Sequence, residues 1–167
     1  MNRDSFPEYF HDYISKVPEG NPIELLQFGI KETLSSLAMV SEEKAKQSYA
    51  KGKWSIKDII QHLIDTERIF CYRALVIARC ETIKLPGYEH ASYAENAVAN
   101  SRSLKDLMEE FRNLRQSSID LFKSFTAEML KQHGNANGLD ISVEQLQYIL
   151  IGHELHHLQV IHEKYLS

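Results

Sequence analysis

The sequence predicts an all-α protein built as a four-helix bundle. Three observations carry that prediction. Apolar residues recur at the helical period in four separate stretches, each with its own start signal. No run alternates apolar and polar residues convincingly enough to read as a strand. Only seven Gly and four Pro occur among the 167 residues, too few for a turn-rich β sandwich. A chain of that length ordinarily makes one domain with a sizeable core.

Residues 1–20 are polar and assigned no element, and are treated as an N-terminal extension to a bundle over 21–167. Asn21-Pro22 supplies a cap and a first-turn proline, and Ile23, Leu25, Leu26, Ile30, Leu34 and Leu37 carry the first helix to about Val40. Ser55 caps the second, whose stripe of Ile56, Ile59, Ile60, Leu63, Ile64, Phe70 and Ala74 reaches about Arg79. Ser103 with Asp106 three residues on is an acidic variant of the capping box, and the third helix runs to about Phe125. Ser142 with Gln145 is a full capping box, opening a fourth helix that reaches Tyr165.

Residues 81–102 connect the second and third helices and contain the turn signal Leu85-Pro86-Gly87. Extended at about 3.3 Å per residue, such a segment can recross a helix of about 36 Å. It therefore permits parallel second and third helices and an up-down-down-up order. It also has room for a short helix that the pattern does not reveal.

The charge balance is −4, from 19 Lys and Arg against 23 Asp and Glu. That balance argues against nucleic acid as a partner, because phosphate contacts come from clustered Lys and Arg. Lys44, Lys46, Lys51 and Lys53 read as a solvated connecting segment. There is no apolar run of membrane-spanning length and no signal-like start, so a cytoplasmic protein without a membrane partner is expected. Cys71 and Cys80 fall on opposite helix faces, unable to bridge, and read as two small buried hydrophobes.

Histidine stands out: four of the eight, His153, His156, His157 and His162, lie near the C-terminal end. At about 100° per residue, His153 sits amid Val143, Leu146, Ile149, Leu150, Val160 and Ile161, and His157 is only about 40° away. His156 lies to one flank and His162 opposite. Two imidazoles in an apolar face need either hydrogen bonds from a neighbouring helix or a metal, which two histidines four apart can grip. The segment also fits His-Glu-x-x-His, in which Glu154 would be a metalloprotease base, but Glu154 points about 100° from His153 and no zincin-like strand pattern is present. His62, beside the second helix's stripe, is the candidate third ligand. Three histidines from two helices leave a metal with open positions, the catalytic arrangement. His11, His90 and His133 fall in loops and carry no such argument; Asp65, Glu67 and Glu154 lie near the ligands in sequence as general-base candidates, and solvated helix faces explain them equally well.

At these residues the chain resembles the DinB/YfiT-like superfamily. The resemblance rests on Trp54-Ser55-Ile56-Lys57-Asp58-Ile59-Ile60-Gln61-His62-Leu63-Ile64-Asp65-Thr66-Glu67 and Gly152-His153-Glu154-Leu155-His156-His157. It extends to Leu85-Pro86-Gly87-Tyr88, Arg102-Ser103-Leu104 and Arg115. It implies an up-down-down-up four-helix bundle, commonly a homodimer, with a divalent metal, nickel or zinc, on His62, His153 and His157. His156 is not implied as a ligand. The resemblance further implies a small-molecule substrate and an enzyme activating water or a low-molecular-weight thiol, as a hydrolase or thiol transferase. The alternative is a metal-binding bundle without catalysis. A purely structural bundle with hydrogen-bonded histidines is the third possibility.

Overall fold

The computed structural model describes residues 1–80 and 83–166. Eight helices occur among them: α1 (His11–Ser15), α2 (Pro22–Leu37), α3 (Glu42–Lys46), α4 (Ile56–Ala78), α5 (His90–Ala97), α6 (Leu104–Lys123), α7 (Ala127–Leu130) and α8 (Val143–Ile161). The four long ones, α2, α4, α6 and α8, are the expected bundle helices. α2 packs on α6 and α8, and α4 packs on the same two, so the four close a ring.

The caps behave as local chemistry dictates. Asn21 Oδ1 accepts from the Ile23 amide at 2.9 Å. At α4 and α8 the capping boxes close reciprocally, Ser55 with Asp58 and Ser142 with Gln145. At α6 only half of the box forms: Ser103 Oγ accepts from the Asp106 amide at 3.0 Å. Beyond α8 the chain widens into a π-helical turn, His162–Leu166, in which the Tyr165 hydroxyl donates to the Trp54 carbonyl.

Contacts set the helix directions. Lys57 meets the Arg102 carbonyl, Arg68 meets Glu110 and Cys71 meets Ser118, so positions advance together along α4 and α6. They also advance together along α2 and α8, where Thr33 meets Glu154 and Ser36 meets His162. Along α4 and α8 they run in opposite senses, with Trp54 at Tyr165 and His62 at His153.

Two parts of the fold were not read from the sequence. The connection after α4, whose residues 81 and 82 lie outside the described range, contains α5. Between α7 and α8 a hairpin forms, β1 (His133–Ala136) with β2 (Leu139–Ser142), antiparallel with Ala136 opposite Leu139. Its signal was Asn137-Gly138, both at positive φ (55° and 79°), the pair that a two-residue hairpin turn favours. Four-residue strands are too short for alternation to show. The hairpin holds the Leu85 segment: the Leu85 amide donates to Asn135 and the Asn137 amide donates back to Leu85.

Residues before α2 are not loose polar chain. Phe6, Phe10, Ile14 and Val17 are buried with the main core. Arg3 caps the carbonyl end of α1, its guanidinium donating to Ile14, Ser15 and Val17. α1 lies against α8 at Gly152, where any Cβ would overlap the Tyr13 carbonyl.

Of the cysteines, Cys80 is exposed rather than buried, because α4 ends at Ala78 and leaves it in a turn. Both thiols are free, and burial pushes the pKa of Cys71 up to about 12, so it offers no thiolate. The four lysines of the 44–53 segment are exposed, two of them on α3. No described helix is long and apolar enough to cross a membrane.

The buried apolar side chains separate into two clusters. Between them along α4, α6 and α8 fall Thr66, Glu67, Arg115, His153, Glu154 and His157, all buried. This polar layer across the bundle contains the site.

Candidate metal centre

α4 and α8 bring His62, His153 and His157 together. Their ligand-capable nitrogens all lie within 4.8 Å of one another, and all three residues are buried. The His153 Nε2 stands 3.0 Å from His62 Nε2 and 3.1 Å from His157 Nε2. Spacing explains the pair on α8: positions four apart share a face. His62 meets them because α4 packs antiparallel beside α8.

This donor set fits a metal better than it fits hydrogen bonds. An imidazole nitrogen either donates one proton or offers one lone pair. His153 Nε2 faces two other Nε2 atoms, so hydrogen bonding satisfies one contact and mismatches the other. A single cation takes a lone pair from all three. Nitrogens about 2.0–2.1 Å from one metal, at right to tetrahedral angles, stand about 2.8–3.4 Å apart, a range that includes the observed 3.0 and 3.1 Å.

All three rings are held neutral. Burial lowers the pKa of His62 to about 4 and that of His157 to about 2, with neighbouring histidines adding to the effect, and moves His153 well below its ordinary value. Near neutral pH the lone pairs therefore need lose no proton before coordinating. In the unfolded chain each ring titrates near pH 6.5. Below that, the unfolded chain takes up protons that the folded protein refuses, so stability falls with pH until the folded rings themselves protonate. The expected loss in chelator-treated protein is about 1.4 kcal/mol per pH unit for each such ring. Urea unfolding at pH 7.0 and 5.5 measures it; equal stabilities at the two would contradict neutral burial.

The cluster opens onto a cavity of about 440 Å³. Trp54 walls one side, its ring 4.7 Å from His62 and stacked 6.2 Å from His157. Tyr13 lies edge-on to His153 at 5.4 Å and to His156 at 5.2 Å. Thr66 Oγ1 stands 3.5 Å from His62 Nδ1 and 2.8 Å from the Tyr88 hydroxyl. Ala136, Asn137, Leu139 and Ile141 of the hairpin complete the wall.

His90, assigned to a loop without functional weight, opens α5 and faces this cavity, its ring 5.5 Å from His62 and 4.3 Å from Tyr88. Its Nδ1 is buried without a hydrogen-bond partner among the described residues. Nothing in its local pattern pointed to the site, because α5 is placed there by tertiary contact with α4. His11 opens α1 and bonds the Phe6 carbonyl, whereas His133 begins β1 and pairs with Asp140; neither reaches the cluster. His156 is half-buried and His162 exposed.

Glu67 and Glu154 are not on solvated faces: each is about 2% exposed, paired with Arg115. The expectation failed because α8 is covered on several sides, by α1, α2 and α4, and not along one stripe. Glu154 also accepts from Thr33 at 2.8 Å, so it is bound into the bundle interior and is no metalloprotease base. Asp65 is partly exposed and accepts from Gln61.

Fold and cluster together define a helical-bundle protein with a buried three-histidine centre. The chain belongs to the DinB superfamily, whose sequence profile matches residues 25–161. It is 25% identical over 138 residues to an Oceanobacillus iheyensis protein named "Putative metal-dependent hydrolase", covering 81% of this chain and 77% of that one. YfiT from Bacillus subtilis, described as "a probable metal-dependent hydrolase with an unusual four-helix bundle topology", superposes with a TM-score of 0.75 at 14% identity, over 88% of this chain and 91% of YfiT. A mycothiol-dependent maleylpyruvate isomerase superposes with a TM-score of 0.69 at 13% identity, over 87% of this chain but only 61% of the isomerase.

Proposed function

We propose that His62, His153 and His157 hold one divalent cation, nickel or zinc, and that the protein is a metal-dependent hydrolase of small molecules. The observation that carries this reading is the convergence of three neutral imidazole nitrogens on a cavity with room for a substrate. Bound there, a divalent cation lowers the pKa of a water or thiol, supplying a nucleophile at neutral pH. Protein groups do the rest. Trp54 and Tyr13 pack on the ligand rings and fix their orientation, and Thr66 sets the second nitrogen of His62. His90 is kept neutral near pH 7 by burial, which lowers its pKa, and is the cavity group able to accept a proton.

The names of the Oceanobacillus protein and YfiT support hydrolysis. The likeness to a mycothiol-dependent isomerase supports a second reading, in which a low-molecular-weight thiol takes the place of water. Both begin with the same bound cation. The chain is also proposed to act in the cytoplasm as a homodimer, as the family resemblance implies.

Protein purified without a histidine tag should contain about one equivalent of metal, with affinity falling only as pH approaches about 4, where His62 begins to protonate. Absence of metal, or a binding curve still flat well below pH 4, would contradict histidine coordination. With metal restored, generic esters and thiol-plus-electrophile pairs separate hydrolase from transferase. Inactivity toward both would favour a metal-binding bundle without catalysis.

A further inference from the structure

One charged side chain in the cavity wall takes no part in holding the cation or moving a proton. Arg73 lies on α4 eleven residues beyond His62, about 20° around the helix, with Thr66 and Phe70 on the stripe between them. It is only 6% exposed, yet it lines the same cavity as the histidines. One Nη donates to the Pro86 carbonyl at 2.8 Å, and the guanidinium carbon lies 5.5 Å from the Phe70 ring and 6.0 Å from Tyr88. No carboxylate among the described residues pairs with it. Arg115, the other buried arginine, is engaged by two glutamates and the Leu26 carbonyl.

A guanidinium carries five N–H donors, and Arg73 spends one on protein. The aromatic rings stabilise its charge in part. Burial still lowers its pKa, with Tyr88 as the one counteracting neighbour, which marks a cation short of a counter-ion. No Asp or Glu among the described residues lines the cavity to supply one. Apolar side chains also line the cavity: Phe10, Phe70, Leu139, Ile141 and Leu146.

We propose that Arg73 is the anion anchor of this cavity and that the substrate class is a small carboxylate with an apolar, aryl or alkyl, body. The carboxylate docks on the free edge of the guanidinium, the apolar body lies against Phe10, Phe70 and Leu146, and the reacting group reaches the histidines. A carboxylate suits the site better than a phosphate. Its single charge matches one guanidinium in bidentate geometry, and among the described residues the wall offers no lysine or second arginine for another. The assignment of the reacting end rests on the metal reading; the anchor itself does not.

Calorimetric titration of the full-length, metal-loaded protein with phenylacetate and with neutral phenylacetamide tests it, repeated after chelation so that carboxylate binding to metal is separated from binding to Arg73. In both states phenylacetate is expected to bind at least about tenfold more tightly than the amide. Arg73→Gln should abolish that preference and Arg73→Lys should keep part of it. Equal affinities for the two ligands, a preference that disappears on chelation, or one that survives Arg73→Gln overturns the anchor. Inorganic phosphate binding more tightly than phenylacetate overturns the carboxylate assignment. The two-ligand comparison on the unaltered protein remains decisive even if both variants misfold. A charge preference in protein that takes up no metal would defeat the metal reading and leave the anchor standing.

Discussion

The His153→Ala protein, purified without a histidine tag, is expected to carry less than about a tenth of an equivalent of metal, against about one for the unaltered chain. His153 is the hub of the cluster, the ring whose Nε2 meets both other Nε2 atoms. Removing it leaves two imidazoles, one from each helix. The cost should exceed the 10–100-fold loss of affinity typical of outer partners. His156→Ala is the matched control, one turn position away and half-buried, and should keep its metal. Heat provides an independent readout. At a free metal concentration about 100 times Kd the unaltered protein gains about 2.7 kcal/mol. For a domain of this size that corresponds to roughly 5–11 °C in Tm. The His153→Ala protein should gain none, and a metal-dependent shift preserved in it would defeat the three-histidine assignment.

Arg115→Ala is expected to be the most destabilising single change, by about 3–5 kcal/mol or more. The guanidinium is 1% exposed and joins all four long helices. From α6 it donates to Glu67 on α4 at 2.7–3.1 Å, to Glu154 on α8 at 2.6 Å and to the Leu26 carbonyl on α2 at 3.1 Å. Burial works against its charge, and the Glu154 and Glu67 carboxylates more than offset that, so it stays protonated. Burial also raises the pKa of Glu154, against the pull of Arg115 and Thr33. Without Arg115, two buried carboxylates face each other with no cation between them. The pKa of Glu154, already raised by burial, should then rise further, and the variant should recover part of its lost stability on moving from pH 7 to pH 5.5, the reverse of the trend the histidines impose. Urea unfolding at both pH values checks this. A loss under about 1 kcal/mol, the scale of an exposed ion pair, would show that the network is not buried in solution.

The Arg115 network also shows where a single sequence stops being informative. The four bundle helices, their caps and the His153–His157 pair were legible, because each depends on spacing within one helix or on residues three apart; His62 entered as the third candidate from its place beside the second helix's stripe and from the family resemblance. A helix converts sequence distance into angle, so the inward face of α8 followed from counting. The rest depends on what lies across from each face. Glu154, about 100° from His153, is buried because α2 and α1 cover that side of α8. Glu67 is buried because Arg115 arrives from α6. The cavity wall comes from segments far apart in the chain: Tyr13 from α1, His90 from α5 and Leu139 from the hairpin. Asn137-Gly138 carried a local signal for that hairpin, but its packing on the Leu85 segment did not. The sequence by itself determined the helical period, the helix starts and which imidazoles share a face, because these are short-range properties of backbone geometry. Only the tertiary structure decided which charges are buried, which aromatic rings close the cavity and that Arg73 stands there without a counter-ion among the described residues, because burial and pairing belong to neighbours that the chain brings together only on folding.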